Sequence, residues 1–324
     1  MAEMAEVSHE RVLIYDRIGA NKRSTFLLLL GFVVFTAMFA TSLATIVASY
    51  SGVNVAEEPT TVIQVAVFSV LIATGVGIVM YFASTAVVLS ITGGHEVTKQ
   101  EEPDLYRTVE NLSIGSGLPM PRVWVVEDDA PNAFATGRNP GNAHVAATRG
   151  LLNKLYSNEV EAVMAHEMSH VGNYDTRLLT TVAVVVGIVA LVADLILRFT
   201  WYGAGARSSN KGKGGGGLGA ILLVIAIVFL IISPIIATIM RLALSRQREY
   251  LADSCGALLS RNPGALASAL EKIAADPVPL RDANKATASL YIENPLKEHG
   301  SFLNGLFNTH PPVEERIKIL RAMG

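Results

Sequence analysis

Long apolar stretches without charge are the dominant pattern of this sequence. The first two, at residues 24–49 and 61–92, contain no charged side chain. Each exceeds the roughly 20 residues that a helix needs to cross the hydrocarbon core of a bilayer. Two more apolar stretches follow at residues 178–199 and 218–240. The pattern predicts an integral membrane protein that is mainly α-helical and has four transmembrane helices.

The polar segments between these stretches predict how the remainder is organised. Residues 1–23 form a polar N-terminal segment, and residues 200–217 form a Gly-rich loop between the last two spans. A folded domain is expected in two parts, at residues 93–177 and 241–324. Four basic residues precede the first span and none follows in the short link after it, which orients the N terminus toward the cytoplasm. Four crossings would then place both parts of the folded domain in the cytoplasm.

Composition agrees with a membrane protein and excludes other classes. Hydrophobic residues make up 51% of the chain and charged residues only 17%, against roughly 25% charged in a soluble domain. The net charge of −2 gives no basic surface for nucleic acid. The single cysteine, Cys255, excludes an intrachain disulfide. Lys213 lies in the Gly-rich loop but lacks the Ser or Thr and the glycine spacing of a phosphate-binding loop, so no ATP site is expected.

In the first part of the folded domain, the sequence predicts a helix followed by a small antiparallel sheet. Residues 103–114 show amphipathic helical spacing, and residues 121–126 read as a strand. Residues 132–137 and 143–148 predict a hairpin across the turn Arg138-Asn-Pro-Gly141. An exposed edge of this sheet could hold an extended peptide by β-augmentation. Alternatively, the strands only cover a helical core.

The motif His166-Glu167-Met168-Ser169-His170 carries the clearest chemical signal. A helix is expected from Ser157 or Asn158 to Gly172, with Glu161 completing a capping box. On it the two imidazoles lie one turn apart on one face, where they can take two corners of a tetrahedral zinc. Glu167 can then accept a proton from the activated water and pass it to a leaving amine. The spacing therefore predicts peptide hydrolysis.

Catalytic zinc needs a third protein ligand, and Glu249 is the best candidate. It lies on a helix predicted for residues 241–260, and two spans separate it from the histidines, so it returns to the same side of the membrane. Asp253 is one turn further on, where it could hold the ring of a ligating histidine. The alternative is a solvated charged face, since Arg246 and Arg248 are close by. Further helices are expected from Asn262-Pro263 to Ala275 and from Val313 to Met323.

Four motifs together resemble the HtpX-type membrane zinc metalloproteases, of the superfamily of the CAAX prenyl endopeptidases. They are the His166–His170 motif, Glu249-Tyr-Leu-Ala-Asp253, Pro131-Asn-Ala-Phe-Ala-Thr-Gly137, and His310-Pro-Pro followed by Glu315-Arg316. The resemblance implies a zincin-like α+β domain with one Zn²⁺ per chain, held by His166, His170 and Glu249.

The same resemblance assigns expected roles to the other motif residues. It implies that Glu167 is the general base and that Asp253 supports a metal-binding histidine from behind. It implies that His310 or Arg316 steadies the oxyanion of the tetrahedral intermediate. It also implies that one strand binds the substrate backbone, through Asn132, Ala133, Phe134, Ala135 and Thr136.

The expected protein is a zinc endopeptidase of the prokaryotic plasma (inner) membrane that cleaves misfolded or damaged membrane proteins in quality control and stress response. A prenyl-protein endopeptidase should have more spans, and an intramembrane protease should carry the motif inside a span. A scaffold with structural zinc should have a fourth protein ligand, Cys or His, and would not need Glu167. A small transporter should have more polar residues within its spans.

Overall fold

Two long helices begin the described part of the chain. A computed structural model describes residues 14–50, 59–185, 187, 246–281, 287, 290–293 and 311–324. Helices α1 (Ile14–Tyr50) and α2 (Pro59–Ile91) pack along each other. Within them, Ile18–Ser42 and Thr60–Ile91 are long and apolar enough to cross a membrane. The first two predicted spans are therefore helical, whereas the fourth and most of the third lie outside the described residues.

The sheet has four strands and is mixed. Its strands are β1 (Gly94–Glu96), β2 (Arg122–Val126), β3 (Ala133–Gly137) and β4 (Ala143–Thr148), in the order β1-β2-β4-β3. The predicted hairpin is confirmed, since β3 pairs antiparallel with β4. The prediction that the whole sheet is antiparallel was wrong, because β4 lies beside β2 and runs parallel to it. This arrangement leaves β3 at the edge. Strand β1 was missed because three residues are too few to show alternation.

The two faces of the sheet pack against different parts of the protein. Alternate residues of a strand point to opposite faces. Val123, Val125, Ala135 and Val145 join the apolar core under the soluble helices. On the other face, Val126, Phe134 and Ala146 join a second cluster, to which α2 contributes Met80, Val88 and Leu89, and helical residues 175–185 (α6) contribute Leu179, Ala183 and Val184. The sheet therefore connects the membrane helices to the soluble core.

The soluble core is built from helices α3 (Pro103–Ser116), α4 (Arg149–Lys154), α5 (Ser157–Gly172), α7 (Arg246–Ser260), α8 (Pro263–Ala275) and α9 (Val313–Arg321). Asn262 caps α8 as predicted, with its side chain accepting a hydrogen bond from Ala265 N. Helix α5 begins with a different capping residue than predicted. Its N-cap is Tyr156, whose N–H donates to Glu159, so Glu159 and not Glu161 occupies the third helical position. Glu159 also accepts from Ser268 and Lys272 and so fastens α5 to α8.

Helices α5 and α7 approach most closely at Gly256. A Cβ atom there would lie 2.9 Å from both N and Cα of His166, a distance that real Cβ atoms do not show. Only glycine lets α7 lie directly against the turn of α5 that carries His166. The relative position of the two helices therefore depends on this residue.

Gly256→Ala should lower the free energy of unfolding by about 1–3 kcal/mol, because one methyl group must push two buried backbones apart. Gly115→Ala is the matched control, since a Cβ there meets only Leu259 Cδ1 at 3.5 Å. Alanine in that exposed helical site should be neutral or stabilising. Thermal unfolding of the detergent-solubilised proteins measures both. Equal midpoints for the two variants would contradict the close contact.

Candidate metal centre

Helix α5 directs two imidazole nitrogens to one point. The side chains of His166 and His170 are buried, and their Nε2 atoms are 3.2 Å apart. The rings are almost perpendicular, at 88°. Two histidines one helical turn apart can therefore direct their nitrogens to one metal ion, as the spacing predicted.

Helix α7 adds Glu249 to the same point. Its carboxylate oxygens lie 3.8 Å from His166 Nε2 and 3.7 Å from His170 Nε2. The three candidate ligand atoms all lie within 4.8 Å of one another. Ligands about 2.1 Å from a tetrahedral zinc stand about 3.4 Å apart, so these distances suit a zinc-sized ion.

Two further carboxylates lie behind the imidazoles. His170 Nδ1 is 3.0 Å from Asp175 Oδ2. His166 Nδ1 is 3.0 Å from Asp253 Oδ1, although this contact is bent away from ideal hydrogen-bond geometry. A carboxylate beside Nδ1 favours the tautomer with its proton there, which leaves the Nε2 lone pair free for a metal. In that tautomer both histidines can turn an Nε2 lone pair to a metal ion at the shared point.

Arg316 binds the carboxylate behind His166. Its Nε and Nη2 donate to the two oxygens of Asp253 at 2.8 and 2.7 Å, and its side chain is 1% exposed. Nη1 donates to Ile292 O and lies 3.6 Å from Glu249. Burial alone would raise the pKa of Asp253, but the guanidinium outweighs it and lowers that pKa to about 2. The Asp253 carboxylate therefore stays ionised beside His166.

Glu167 lines a small enclosed cavity together with the candidate ligands. The cavity measures about 10 Å³ and is also lined by His166, His170, Glu249 and Ala135. A volume of this size holds about one water molecule. Burial raises the pKa of Glu167, and the nearby histidines oppose this shift. A raised pKa suits a group that must take up and release a proton near neutral pH.

The charge around this cavity fits a divalent cation. Burial acts to lower the pKa of His170, but Asp175 and Glu249 raise it to about 9. The same negative surroundings that favour an imidazolium favour a metal cation. Two imidazole nitrogens and one carboxylate, all buried, match a catalytic zinc site, which has three protein ligands and one open position.

The edge of β3 is partly occupied near the cavity. Ile292 N donates to Ala133 O at 3.0 Å, and Tyr291 forms a bridge with Phe134. The Asn132 amide donates to Glu293 O at 3.0 Å. At the far end, Gly137 N lies 3.3 Å from Thr180 Oγ1, and the hydroxyls of Thr136 and Thr180 are 2.8 Å apart. Residues 290–292 therefore lie antiparallel beside residues 133–135 and occupy this part of the edge, where Ala135 lines the cavity.

The described structure brings together His166, Glu167, His170, Glu249, Asp253 and Arg316. His310 lies outside the described residues. Arg316 directs its donors to Asp253 and Ile292, so its position gives no support to the expected contact with an oxyanion. Sequence reasoning missed Asp175, which follows the end of α5. The signal was a carboxylate five residues after His170, just past the turn that ends the helix.

The chain is similar to known proteases over nearly its whole length. Residues 99–324 match peptidase family M48. The chain is 42% identical over 312 residues to a protease HtpX homolog of Tropheryma whipplei strain Twist, covering 96% of this chain and 99% of that protein. It is 41% identical over 318 residues to a protease HtpX homolog of Listeria monocytogenes strain HCC23, covering 96% and 100%. The crystal structure of S. mikatae Ste24p aligns with a TM-score of 0.46 at 17% identity, covering 94% of this chain and 66% of that one.

The resemblance to the HtpX-type proteases is thereby confirmed over nearly the whole chain. The family match includes the histidine motif, Glu249 and Arg316, and the two apolar helices precede it. This chain belongs to peptidase family M48 and is a membrane-bound metalloprotease.

Proposed function

We propose that the protein is a zinc endopeptidase in which His166, His170 and Glu249 hold one zinc ion and Glu167 is the general base. The convergence of three buried ligand atoms beside Glu167 carries this proposal. When bound, zinc lowers the pKa of a water molecule and polarises the scissile carbonyl. Glu167 then takes the proton of the attacking water and delivers it to the leaving amine.

The substrate peptide is proposed to pair with β3 at Ala135. Backbone groups of a strand alternate between its two edges. Because Ala133 O and Gly137 N bond away from β4, the N–H and C=O of Ala135 also face away from β4. Ala135 lines the cavity that contains Glu167, and residue 290 lies opposite it, so a peptide that takes the place of residues 290–292 along this edge would cross that cavity. Pairing through the backbone would accept many sequences, as a quality-control protease requires.

Two further spans are proposed between α5 and α7, at residues 178–199 and 218–240. His166 and Glu249 lie within 4 Å of each other, so the chain between them must cross the membrane an even number of times. With the charge rule for the first span, this supports a multi-pass protein of the prokaryotic plasma membrane whose catalytic parts, residues 93–177 and 241–324, face the cytoplasm. We propose misfolded or damaged membrane proteins as substrates, because the sheet beside the cavity packs directly on α2 and α6.

Glu167→Gln should lower the rate of casein cleavage by about 10²–10⁴-fold, because glutamine cannot accept the proton of the attacking water. About one zinc should remain bound per chain, since Glu167 is not a proposed ligand. Glu161→Gln is the matched control, because it makes the same change on the same helix outside the cavity. Proteolysis and metal content of the purified proteins, with a chelator added in parallel, measure both. Unchanged cleavage by Glu167→Gln would refute the mechanism.

Arg316→Met should destabilise the protein by about 3–5 kcal/mol, because it leaves the ionised Asp253 buried without its cation. Arg321→Met is the matched control on the same helix. Its ion pair with Glu271 is exposed, so its loss should cost about 0–1 kcal/mol. Combining Arg316→Met with Asp253→Leu should recover most of the stability and still bind zinc weakly. Thermal unfolding measures the loss of stability, and competition with a chelator measures zinc binding. An Arg316→Met protein as stable as the wild type would contradict the buried ion pair.

A further inference from the structure

A residue of the first membrane helix reaches the metal centre. Asn21 lies on α1 and is 2% exposed. Its amide nitrogen donates to Asn173 O at 2.9 Å and to Asp175 Oδ1 at 2.7 Å. A carboxamide has two N–H donors, so both are used. Asn21 therefore joins α1 to the turn that follows the histidine motif.

The second oxygen of Asp175 continues this connection to a candidate ligand. Asp175 Oδ2 is 3.0 Å from His170 Nδ1, so the carboxylate lies between Asn21 and the imidazole. A carboxylate held at both oxygens cannot rotate, and neither can the ring bonded to it. Asn21, Asp175 and His170 thus form one hydrogen-bonded chain from α1 to the cavity.

The turn between α5 and α6 has a conformation that needs such support. Tyr174 has a φ of 60°, a region that non-glycine residues seldom adopt. Lys22, next to Asn21, places its Nζ 4.3 Å from the centre of the Tyr174 ring. Helix α1 therefore contacts each of the three residues of this turn, Asn173, Tyr174 and Asp175.

We propose that Asn21 is a positioning residue for the metal centre, acting on His170 through Asp175. The membrane helix then does more than anchor the protease, because it completes the support of a metal ligand. This inference rests on the proposed function of His170 as a ligand. Loss of such outer hydrogen bonds typically costs 10–100-fold in metal affinity.

Zinc affinity of the detergent-solubilised full-length protein tests this role. Asn21→Asp keeps the shape of the side chain but replaces the donors with acceptors facing Asp175, and Asn21→Leu removes the polar group. Both should weaken zinc binding by about 10–100-fold in competition with a chelator. Thr25→Val is the matched control, since Thr25 is fully buried one turn further along α1 and its hydroxyl donates to Asn21 O within the same helix.

The outcomes distinguish the two proposals. If the wild type binds no zinc, the proposed metal site fails. If the wild type and Thr25→Val bind zinc equally, and Asn21→Asp binds it as tightly, the positioning role is refuted. Metal-free thermal unfolding of all variants shows whether any loss of affinity is only loss of fold, in which case the positioning role is also refuted.

A separate observation concerns a cavity between α2 and the sheet. It measures about 580 Å³. Its lining combines apolar residues of α2 with polar and basic residues of the sheet and the β3–β4 turn, among them Phe82, Leu89, Arg122, Trp124, Arg138 and His144. It lies on the sheet face opposite the soluble core, and none of its described lining residues also lines the metal cavity.

The cationic groups of this cavity are little used by other contacts. Arg138 stacks over Phe82, with its guanidinium carbon 4.7 Å from the ring centre, and makes no ion pair among the described residues. The Arg122 side chain is two-thirds exposed, and its one ion pair among the described residues is with Glu96, at 3.5 Å. Trp124 Nε1 and Thr85 Oγ1 have no hydrogen-bond partner among the described residues. Burial, and then Arg122, lower the pKa of His144 to about 4, so it adds no charge.

The cavity lies at the level where lipid head groups are expected. The candidate span in α2 has 32 residues, which is about 48 Å of helix. The hydrocarbon core is only about 30 Å thick, so part of α2 must extend beyond it or tilt, and its last turns lead directly into β1 of the sheet. Those turns form the apolar wall of the cavity, next to a tryptophan and two arginines, side chains that favour this depth.

We infer that this cavity binds the head group of an anionic phospholipid, with Arg122 and Arg138 at the phosphate and the acyl chains along α2. The combination of two arginines with an apolar wall favours a lipid over a fully polar ligand. Binding would fix the depth and tilt of the protease at the membrane surface.

Native mass spectrometry of protein extracted from vesicles tests this binding. The vesicles contain phosphatidylcholine with about one-fifth phosphatidylglycerol, enough to keep a basic site occupied. The wild type should retain phosphatidylglycerol selectively, and the double variant Arg122→Gln with Arg138→Gln should lose most of it. Arg107→Gln, an exposed change on α3, should not alter retention. Equal retention by the double variant, or no preference for phosphatidylglycerol in the wild type, would overturn the inference.

Discussion

The contact between α5 and α7 at Gly256 is the constraint on which the rest of the site depends. It sets the distance between the helix that carries His166 and His170 and the helix that carries Glu249. A metal ion tolerates ligand displacements of only a few tenths of an ångström. The lack of a side chain at Gly256 therefore decides whether three ligand atoms from two distant segments can bind the same ion.

Buried charge is the second organising feature, and the carboxylates of Asp253 and Asp175 are each held between two partners. Asp253 is bound by Arg316 on one side and lies beside His166 on the other. Asp175 lies between Asn21 and His170. Buried ions cost several kcal/mol of desolvation unless partners compensate, so each carboxylate also fixes the position of its partner. The result is a rigid second layer of charges around the cavity.

The sheet explains how a soluble catalytic core is joined to membrane helices. One face packs under α3 and α5, and the other packs against α2 and α6. The edge strand β3 lies beside the metal cavity, and residues 291 and 292 occupy part of its edge. A substrate peptide that pairs with Ala135 would take the place of this short segment, on the strand that packs beside α2.

The sequence by itself determined the features that depend on local spacing. The one-turn separation of His166 and His170, the apolar lengths of the first two spans, the β3–β4 hairpin and the cap at Asn262 all follow from local rules of geometry. The four motifs and their order also indicated the family, because each motif is a short run of residues that can be recognised in the sequence alone. Only the tertiary structure decided the parallel pairing of β2 with β4, the partner of Arg316, and the reach of Asn21 to Asp175 across 154 positions. Such contacts form between residues far apart in the chain, so they are fixed by packing, and a linear pattern carries no record of that packing.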